Sequence, residues 1–285
     1  MPECAAPLNK IRIEMSASQQ IRNFLETGDH DPLFVVWPGQ NLVECARNGH
    51  QALIDALIDE IRKRTAGKSI PGIPSFDQPV LVRSKVEPMV RGLFPESEQQ
   101  LILEILGQAF VFLTPSNIEN VLRTTRWLSS TWTLASIYLA SVGAEPLSKD
   151  FDVVGYSEGT TCYVSLAYFH PANRWDDFVV HEAAHVFHNC KRETVGLPTK
   201  RNREWLLHID FRKRETFAYA SEAYSRLLVL GGSMSERRKL LAELEQEFTP
   251  ADERVDVDDY REILREAVTA RNGWKRILNR CRSSK

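Results

Sequence analysis

The amino-acid sequence predicts an α+β protein that is mostly helical. Several long stretches repeat apolar residues at helical spacing, whereas only short stretches are rich in β-branched and aromatic residues. The 285 residues are 43% hydrophobic and 26% charged, so the chain has enough apolar material for a sizeable core and is not disordered as a whole. The 36 Lys and Arg residues nearly balance the 38 Asp and Glu residues, which gives no overall field that would attract nucleic acid or anionic lipid.

The first third of the chain is predicted to have mixed structure. Residues 33–37 form a short strand-like run that Pro38 and Gly39 end, and residues 42–64 then repeat Leu and Ile at helical spacing. Residues 65–79 contain three prolines and two glycines, which are too many for a regular element. We therefore predict a long loop there.

The rest of the chain is predicted to be helical apart from one strand. Helices are expected over residues 96–113 and 116–142, the second beginning with the capping-box sequence Ser-Asn-Ile-Glu. A β-prone run predicts a strand over residues 161–169. Beyond a Gly-Gly pair, two charged amphipathic helices are expected over residues 235–248 and 258–271.

The cysteines and the apolar stretches bear on the compartment. Five cysteines without regular spacing argue against a disulfide framework and favour a reducing compartment. The first residues lack the basic start and apolar segment of a secretory signal. The longest uncharged stretch, 127–143, contains six Ser and Thr residues and is shorter than the ~20 residues of a membrane span. We therefore expect a cytoplasmic protein without a membrane segment.

A metal-binding pattern lies in the helix that is predicted to begin near Asp176 and Asp177. The sequence His181-Glu182-Ala183-Ala184-His185 is an HExxH motif. Histidines four residues apart on a helix point to one side and can bind one metal ion, and the glutamate beside the first histidine can reach a water molecule on that ion. The alternative is that both histidines are ordinary, partly buried residues and that the glutamate is a surface acid.

A catalytic zinc site needs a third protein ligand. The segment 214–224 is predicted to be helical, with Glu215, Tyr219 and Glu222 on one face. The alternative is a solvated face on which Glu222 pairs with Arg226.

Two other side chains near the motif could also bind a metal. His188 follows His185 by three residues and could be a ligand, although a role as the partner of another ligand is favoured. Cys162 precedes the motif, but its surroundings lack the Glu-Gly-Cys order of the cysteine ligand in peptide deformylases.

These segments together resemble the gluzincin class of zinc metallopeptidases, in which a glutamate on a following helix completes the HExxH site. The resemblance covers about residues 163–230, and Glu215-Thr216-Phe217-Ala218 is similar to the third-ligand context of several such families. It departs from the thermolysin pattern, because Tyr219 stands where that pattern has an acid four residues after the third ligand. Glu222 is therefore either the partner of a histidine or the third ligand itself.

The resemblance implies a zincin-like catalytic core with a small antiparallel sheet beside the HExxH helix. It implies Zn²⁺ bound by His181, His185 and Glu215, and a peptide or protein substrate. Glu182 would be the general base for a metal-activated water, and Tyr219 the nearest candidate donor to the transition state, ahead of Tyr224 and His208. The strand at 161–169 would pair with an extended substrate. The ligand types also suit non-haem iron, but the motif glutamate favours zinc hydrolysis.

Three segments follow from this interpretation: an N-terminal mixed α/β region of unassigned role (1–115), the zincin-like core (116–232) and charged C-terminal helices that pack on the core (233–285). A non-catalytic metal-binding regulatory or interaction protein is the alternative to a peptidase. Residues 191–214 carry eight basic residues against three acidic ones. A solvated connector paired with the acidic C-terminal helices is favoured there, and nucleic acid is kept as an alternative partner.

Overall fold

A computed structural model describes residues 15–68, 76–148, 155–170, 173–199 and 204–282 of the chain. Most of these residues are helical, and a small sheet accompanies the helices, as the sequence predicts. The α-helices of these ranges are α1 (Ala17–Thr27), α2 (Leu42–Thr65), α3 (Gln78–Leu93), α4 (Glu96–Ala109), α5 (Ile118–Thr124), α6 (Leu128–Ser141), α7 (Phe178–Asn189), α8 (Arg214–Leu230), α9 (Met234–Glu247), α10 (Val257–Thr269) and α11 (Gly273–Cys281). The strands are β1 (Phe110–Phe112), β2 (Gly155–Glu158) and β3 (Thr161–Val164). None of the helices in the described ranges has the length and apolar character that a membrane span requires.

The chain forms two compact units, each built from two separate stretches of sequence. The first unit comprises residues 1–68 and 115–151, and the second comprises residues 69–114 and 152–285. The division differs from the predicted segments, because α3, α4 and β1 belong to the second unit although they precede residue 115. The reason is that α3 packs against α7 and α11, and β1 pairs with β3.

The first unit contains α1, α2, α5 and α6. Helix α2 packs against α1, α5 and α6 and buries Leu53, Leu57 and Ile61 at helical spacing. The predicted strand-like run at residues 33–37 is wrong, since these residues form turns. The carboxylate of Asp31 accepts the backbone N–H groups of Leu33 (3.1 Å) and Val35 (3.5 Å), which fixes a turn in place of a strand.

The second unit holds a sheet of three strands in the order β1-β3-β2. Strand β3 pairs in parallel with β1 and antiparallel with β2, so the sheet is mixed, and the predicted antiparallel sheet is only partly correct. A parallel pair requires a long crossover, and here the chain between β1 and β3 includes α5 and α6.

The predicted strand at 161–169 is only half as long in the structure. It ends at Val164, and Leu166–Phe169 form a 3₁₀ turn whose first N–H groups are capped by Ser165, which accepts from Ala167 N–H at 3.1 Å. Because β3 lies between β1 and β2, its two edges are already paired, and the sheet edge beside α7 is formed by β2.

Several predicted helix boundaries also change. The helix expected over 96–113 ends at Ala109, and its last residues pair as β1. The helix expected over 116–142 is divided into α5 and α6, and Asn117 replaces Ser116 as the residue before the first turn. Residues 69–75 of the predicted loop lie outside the described residues. The two charged C-terminal helices match α9 and α10 to within about two residues.

Helix α7 is the central helix of the second unit. It packs against α8, α3 and strands β2 and β3, and its residues from 179 to 188 are buried except for the partly exposed His181. The helix ends at Asn189, and Cys190 follows as its C-cap residue. Helices α7 and α8 therefore carry the two predicted metal-binding segments side by side.

Candidate metal centre

The two motif histidines and Glu215 meet between α7 and α8. Glu215 Oε2 lies 3.5 Å from His185 Nε2 and 3.9 Å from His181 Nε2. The three ligand atoms all lie within 4.8 Å of one another. Ligand atoms about 2.1 Å from one tetrahedral zinc ion would stand about 3.4 Å apart, so this cluster could hold a metal ion with small side-chain adjustments.

Glu222 lies behind His181 rather than beside the shared centre. Its Oε2 is 3.0 Å from His181 Nδ1, and its Oε1 accepts the backbone N–H of Asp177 at 2.6 Å. When the imidazole is neutral and its hydrogen is on Nδ1, His181 directs the lone pair of Nε2 toward Glu215. Of the two acids, Glu215 is therefore the one that lies near Nε2 of both histidines, whereas Glu222 contacts Nδ1 of His181.

Glu222 is the neighbour that most strongly favours the protonated form of His181. Burial alone would lower the pKa of His181, but the hydrogen bond and the charge of Glu222 outweigh burial and raise the pKa to about 9. A metal ion at Nε2 would compete with this proton.

His188 lies behind the second histidine. Its Nε2 is 3.0 Å from His185 Nδ1, and its Nδ1 is 3.0 Å from Asn189 Oδ1. Burial, followed by the nearby His185 and Arg214, lowers the pKa of His188 to about 3, so this imidazole is neutral at physiological pH. His188 is therefore placed as the partner of His185 rather than as a ligand.

Glu182 is buried against strand β2. Its Oε2 has no hydrogen-bond partner among the described residues, whereas the Ser157 hydroxyl donates to the same carboxyl group. Burial raises the pKa of Glu182, and the neighbouring His185 and His181 oppose this effect. A Cβ atom at Gly155 would lie 2.5 Å from Glu182 Oε1, so the glycine provides the space that this carboxylate occupies.

Cys162 is close to the motif helix but does not face the cluster. Its buried thiol donates to the backbone carbonyl of Glu182 at 3.5 Å, and burial raises the pKa of the thiol well above its usual range. A protonated thiol bonded to the helix backbone is not a metal ligand, and Cys162 instead attaches β3 to α7.

Tyr219 lies beside His181, one helical turn after Glu215. The centroids of the Tyr219 and His181 rings are 4.7 Å apart in an edge-to-face arrangement. Burial, followed by the charge of Glu222, raises the pKa of Tyr219 to about 12, so its hydroxyl stays protonated at neutral pH and can donate. Of the other two candidate donors, Tyr224 packs against Trp274 and His208 is exposed.

Sequence reasoning missed a contribution from the loop between α9 and α10. Arg254 Nη2 lies 3.1 Å from Glu215 Oε1 and forms an ion pair with Asp252 Oδ2 at 2.5 Å. The arginine binds the carboxylate oxygen that faces away from His185, which leaves Oε2 to face the histidines. The only hint in the sequence is a single arginine within the acidic connector of residues 252–259.

Three of the five basic residues that the structure describes in the segment 191–214 form ion pairs. Lys191 contacts Glu204 at 2.7 Å, and Lys213 contacts Asp259 of α10 at 3.2 Å. Arg192 is buried and forms a two-point ion pair with Glu98 of α4, at 2.6 and 3.1 Å. Residues 200–203, which include three of the basic residues, lie outside the described ranges. The described pairs favour a structural role for this segment.

No protein-family model matches the chain, and comparison with curated proteins and with solved structures found no significant match. The interpretation of the centre therefore depends on its own chemistry. Two imidazoles and a carboxylate converge on one point, and α7, which carries the histidines, also carries a buried oxygen of Glu182 without a partner among the described residues.

Proposed function

We propose that the protein is a zinc-dependent peptidase with a gluzincin-type centre in its second unit. The observation that carries the proposal is the convergence of His181, His185 and Glu215, together with the buried Oε2 of Glu182, which has no hydrogen-bond partner in the part of the chain that the structure describes. An unpaired carboxylate oxygen inside a protein is costly unless it serves a purpose, and a general base needs a free oxygen.

The ligand set fits zinc. Imidazole nitrogen and carboxylate oxygen are common zinc ligands, and a catalytic site uses three protein ligands with one open position. A bound Zn²⁺ would supply Lewis acidity, which polarises a peptide carbonyl and makes a water molecule easier to deprotonate. His181, His185 and Glu215 would hold the ion.

Glu182 would move the proton in the reaction. Its carboxylate accepts a proton from the attacking water and later delivers it to the nitrogen of the leaving amine. Burial raises the pKa of Glu182, which makes its carboxylate a better proton acceptor than an exposed one. The Ser157 hydroxyl on β2 orients the carboxyl group by donating to it.

Tyr219 would stabilise the oxygen on which negative charge develops. Its hydroxyl is protonated at neutral pH, and its ring lies against His181. Strand β2 lies next to Glu182 and forms an edge of the sheet, so an extended peptide would lie along β2 rather than along β3.

One feature favours a second candidate function, a non-catalytic metal-binding regulatory or interaction protein. The first unit is a separate compact body of four helices within the described residues, and it contributes no residue to the candidate centre. Such a unit is suited to binding a partner. Tight zinc binding without peptide hydrolysis would favour this second function.

The first experiment measures bound metal by elemental mass spectrometry on protein purified without chelator. Wild-type protein is expected to carry about one zinc per chain, and His185→Ala is expected to lose it. A quenched-fluorescence peptide library then tests hydrolysis, with Glu182→Gln as the matched variant that keeps zinc but loses turnover. Undiminished turnover in Glu182→Gln would contradict the assigned base, and absence of zinc from reconstituted wild-type protein would contradict the centre itself.

A cytoplasmic location is also part of the proposal. Cys45, Cys162, Cys190 and Cys281 are free thiols in the structure, and a peptidase that keeps free thiols suits the reducing cytoplasm.

A further inference from the structure

The second motif histidine, His185, begins a hydrogen-bonded series of three polar side chains. His185 Nδ1 is 3.0 Å from His188 Nε2, and His188 Nδ1 is 3.0 Å from Asn189 Oδ1. His185 and His188 are both buried, at 9% and 4% exposure, so bulk water does not replace these hydrogen bonds. The two imidazole rings meet almost at right angles (85°), which directs the edge of one ring at the edge of the other.

Asn189, the last side chain of this hydrogen-bonded series, determines which ring nitrogens carry hydrogens. The amide oxygen of Asn189 only accepts, so Nδ1 of His188 carries a hydrogen. Nε2 of His188 is then an acceptor, and the hydrogen between the two rings belongs to Nδ1 of His185. Nε2 of His185 keeps its lone pair, and this is the atom that faces Glu215 at 3.5 Å.

We propose that His188, oriented by Asn189, is a positioning residue that holds His185 in the tautomer and ring orientation needed to bind a metal at Nε2. The inference rests on the proposed metal centre and adds to it the selection of this tautomer. His188 acts through His185 and does not itself touch the metal or the substrate.

The two histidines of the centre are therefore supported in different ways. His181 is backed by the carboxylate of Glu222, whereas His185 is backed by an uncharged imidazole. Glu215 and Glu222 together supply two negative charges, which equal the charge of one Zn²⁺. An imidazole behind His185 fixes its geometry without placing a carboxylate behind the second histidine as well, which would reduce the Lewis acidity of the ion.

Two substitutions at position 188 separate hydrogen bonding from packing. His188→Gln keeps an acceptor oxygen at about the distance of the imidazole Nε2 from the backbone, whereas His188→Leu fills the buried space without an acceptor. Asn189→Asp serves as a further control, because a carboxylate also accepts from His188 Nδ1 and preserves the order of hydrogens.

The experiment has two readouts. In metal-free protein, two-bond ¹H–¹⁵N correlation spectra of the seven histidines report which nitrogen of His185 carries the hydrogen. Competition with a chromophoric zinc chelator then gives the zinc dissociation constant. We expect His185 to be protonated at Nδ1 in wild-type protein, His188→Gln and Asn189→Asp, and to become a tautomer mixture in His188→Leu, with zinc affinity about 10- to 100-fold weaker than in wild-type protein.

The outcomes distinguish this inference from the proposed function. Zinc affinity in His188→Leu equal to that of wild-type protein, with an unchanged His185 tautomer, would overturn the positioning role and leave the metal centre intact. Wild-type protein that binds no zinc would overturn the proposed function. Zinc binding that is weaker in His188→Leu but equal to wild type in His188→Gln would support the positioning role. A purely steric defect would not depend on whether residue 188 has a hydrogen-bond acceptor.

Discussion

At the scale of single residues, the position of the Glu182 carboxylate in the candidate centre depends on the space beside Gly155. Glu182 occupies the space that a side chain at position 155 would need, and Gly155 lies on the strand beside it. Glu182, the proposed general base, is therefore oriented by the absence of a side chain at position 155 as well as by the hydroxyl of Ser157.

Gly155→Ala is expected to lower peptide turnover by about 100-fold or more while zinc content stays at the wild-type level. The new methyl group would lie 2.5 Å from Glu182 Oε1 and would displace the carboxylate, a shift that costs roughly this factor when a reacting group is misplaced by about 1 Å. Turnover and bound zinc are measured on the same preparations. Gly107→Ala is the control, because a Cβ there meets nothing within 4 Å; equal turnover in both variants would contradict the role of Gly155.

Arg254→Met is expected to weaken zinc binding by about 3- to 10-fold. The substitution removes the charge that binds Glu215 Oε1 at 3.1 Å, and the carboxylate loses one of the contacts that orient it. The effect is kept modest because the arginine side chain is 66% exposed and water screens its charge. Arg265→Met, which breaks a similarly exposed ion pair with Glu245, is the matched control, and zinc affinities that do not differ between the two variants would refute the prediction.

The spacing of the motif predicts that His181 and His185 lie side by side, because residues four apart share one face of a helix. Glu215 follows from its local sequence context. Arg254 and Asp252 could not be predicted, since they reach the centre from a loop about 40 residues farther along, and no periodicity links that loop to α8. The role of His188 also needed coordinates, because its spacing fits both a ligand and a partner.

At the scale of elements, the start of α7 concentrates negative charge. Asp176 and Asp177 precede the helix, Glu222 accepts the N–H of Asp177, and Lys85 of α3 contacts Asp177 Oδ2 at 3.0 Å. Burial, followed by the charge of Glu222, raises the pKa of Asp176 to about 6.

Asp176→Asn is expected to raise the free energy of unfolding at pH 7 by about 1–2 kcal/mol, after allowance for solvent screening. An acid whose folded pKa is about 6 and whose unfolded pKa is 3.8 binds its proton more tightly when folded, so it costs the protein stability as the pH rises between these values. The advantage of the asparagine variant should therefore be absent below about pH 4, grow toward pH 6 and stay constant above it. Urea unfolding at several pH values measures this, and a difference that is independent of pH would contradict the assignment.

The elements that sequence reasoning missed have identifiable causes. Helix α3 contains Pro79 and Pro88, which act as breaker signals, but Pro79 lies in the first turn, where the missing N–H is not needed. Strand β1 is only three residues long and follows α4 without a turn, so its residues continue the helical pattern of the sequence. Its pairing with β3 is a long-range contact that local periodicity does not encode.

At the scale of the whole molecule, the three candidate ligands belong to one of the two units. Metal binding should therefore stabilise that unit selectively. Zinc removal by a chelator is expected to speed amide hydrogen exchange in α7, α8 and the loop at 249–256 and to leave exchange in α2 and α6 unchanged. Hydrogen-exchange mass spectrometry of the holo and chelated protein checks this, with His185→Ala as the control that should not respond to the chelator. Equal changes in both units would contradict a metal effect confined to the second unit.

The second unit consists of two stretches that are separated in the sequence, and this affects its folding during synthesis. Asn272 of the last loop donates to the carbonyl of Gly92, and Trp274 lies against the same glycine, so α3 finds partners about 180 residues farther along the chain. On a ribosome that adds roughly 5–20 residues per second, α3 waits on the order of 10–40 s for α11 to emerge. During that interval the face of α3 that contacts α11 lacks this partner, so we expect the second unit to complete its packing only after α11 has been synthesised.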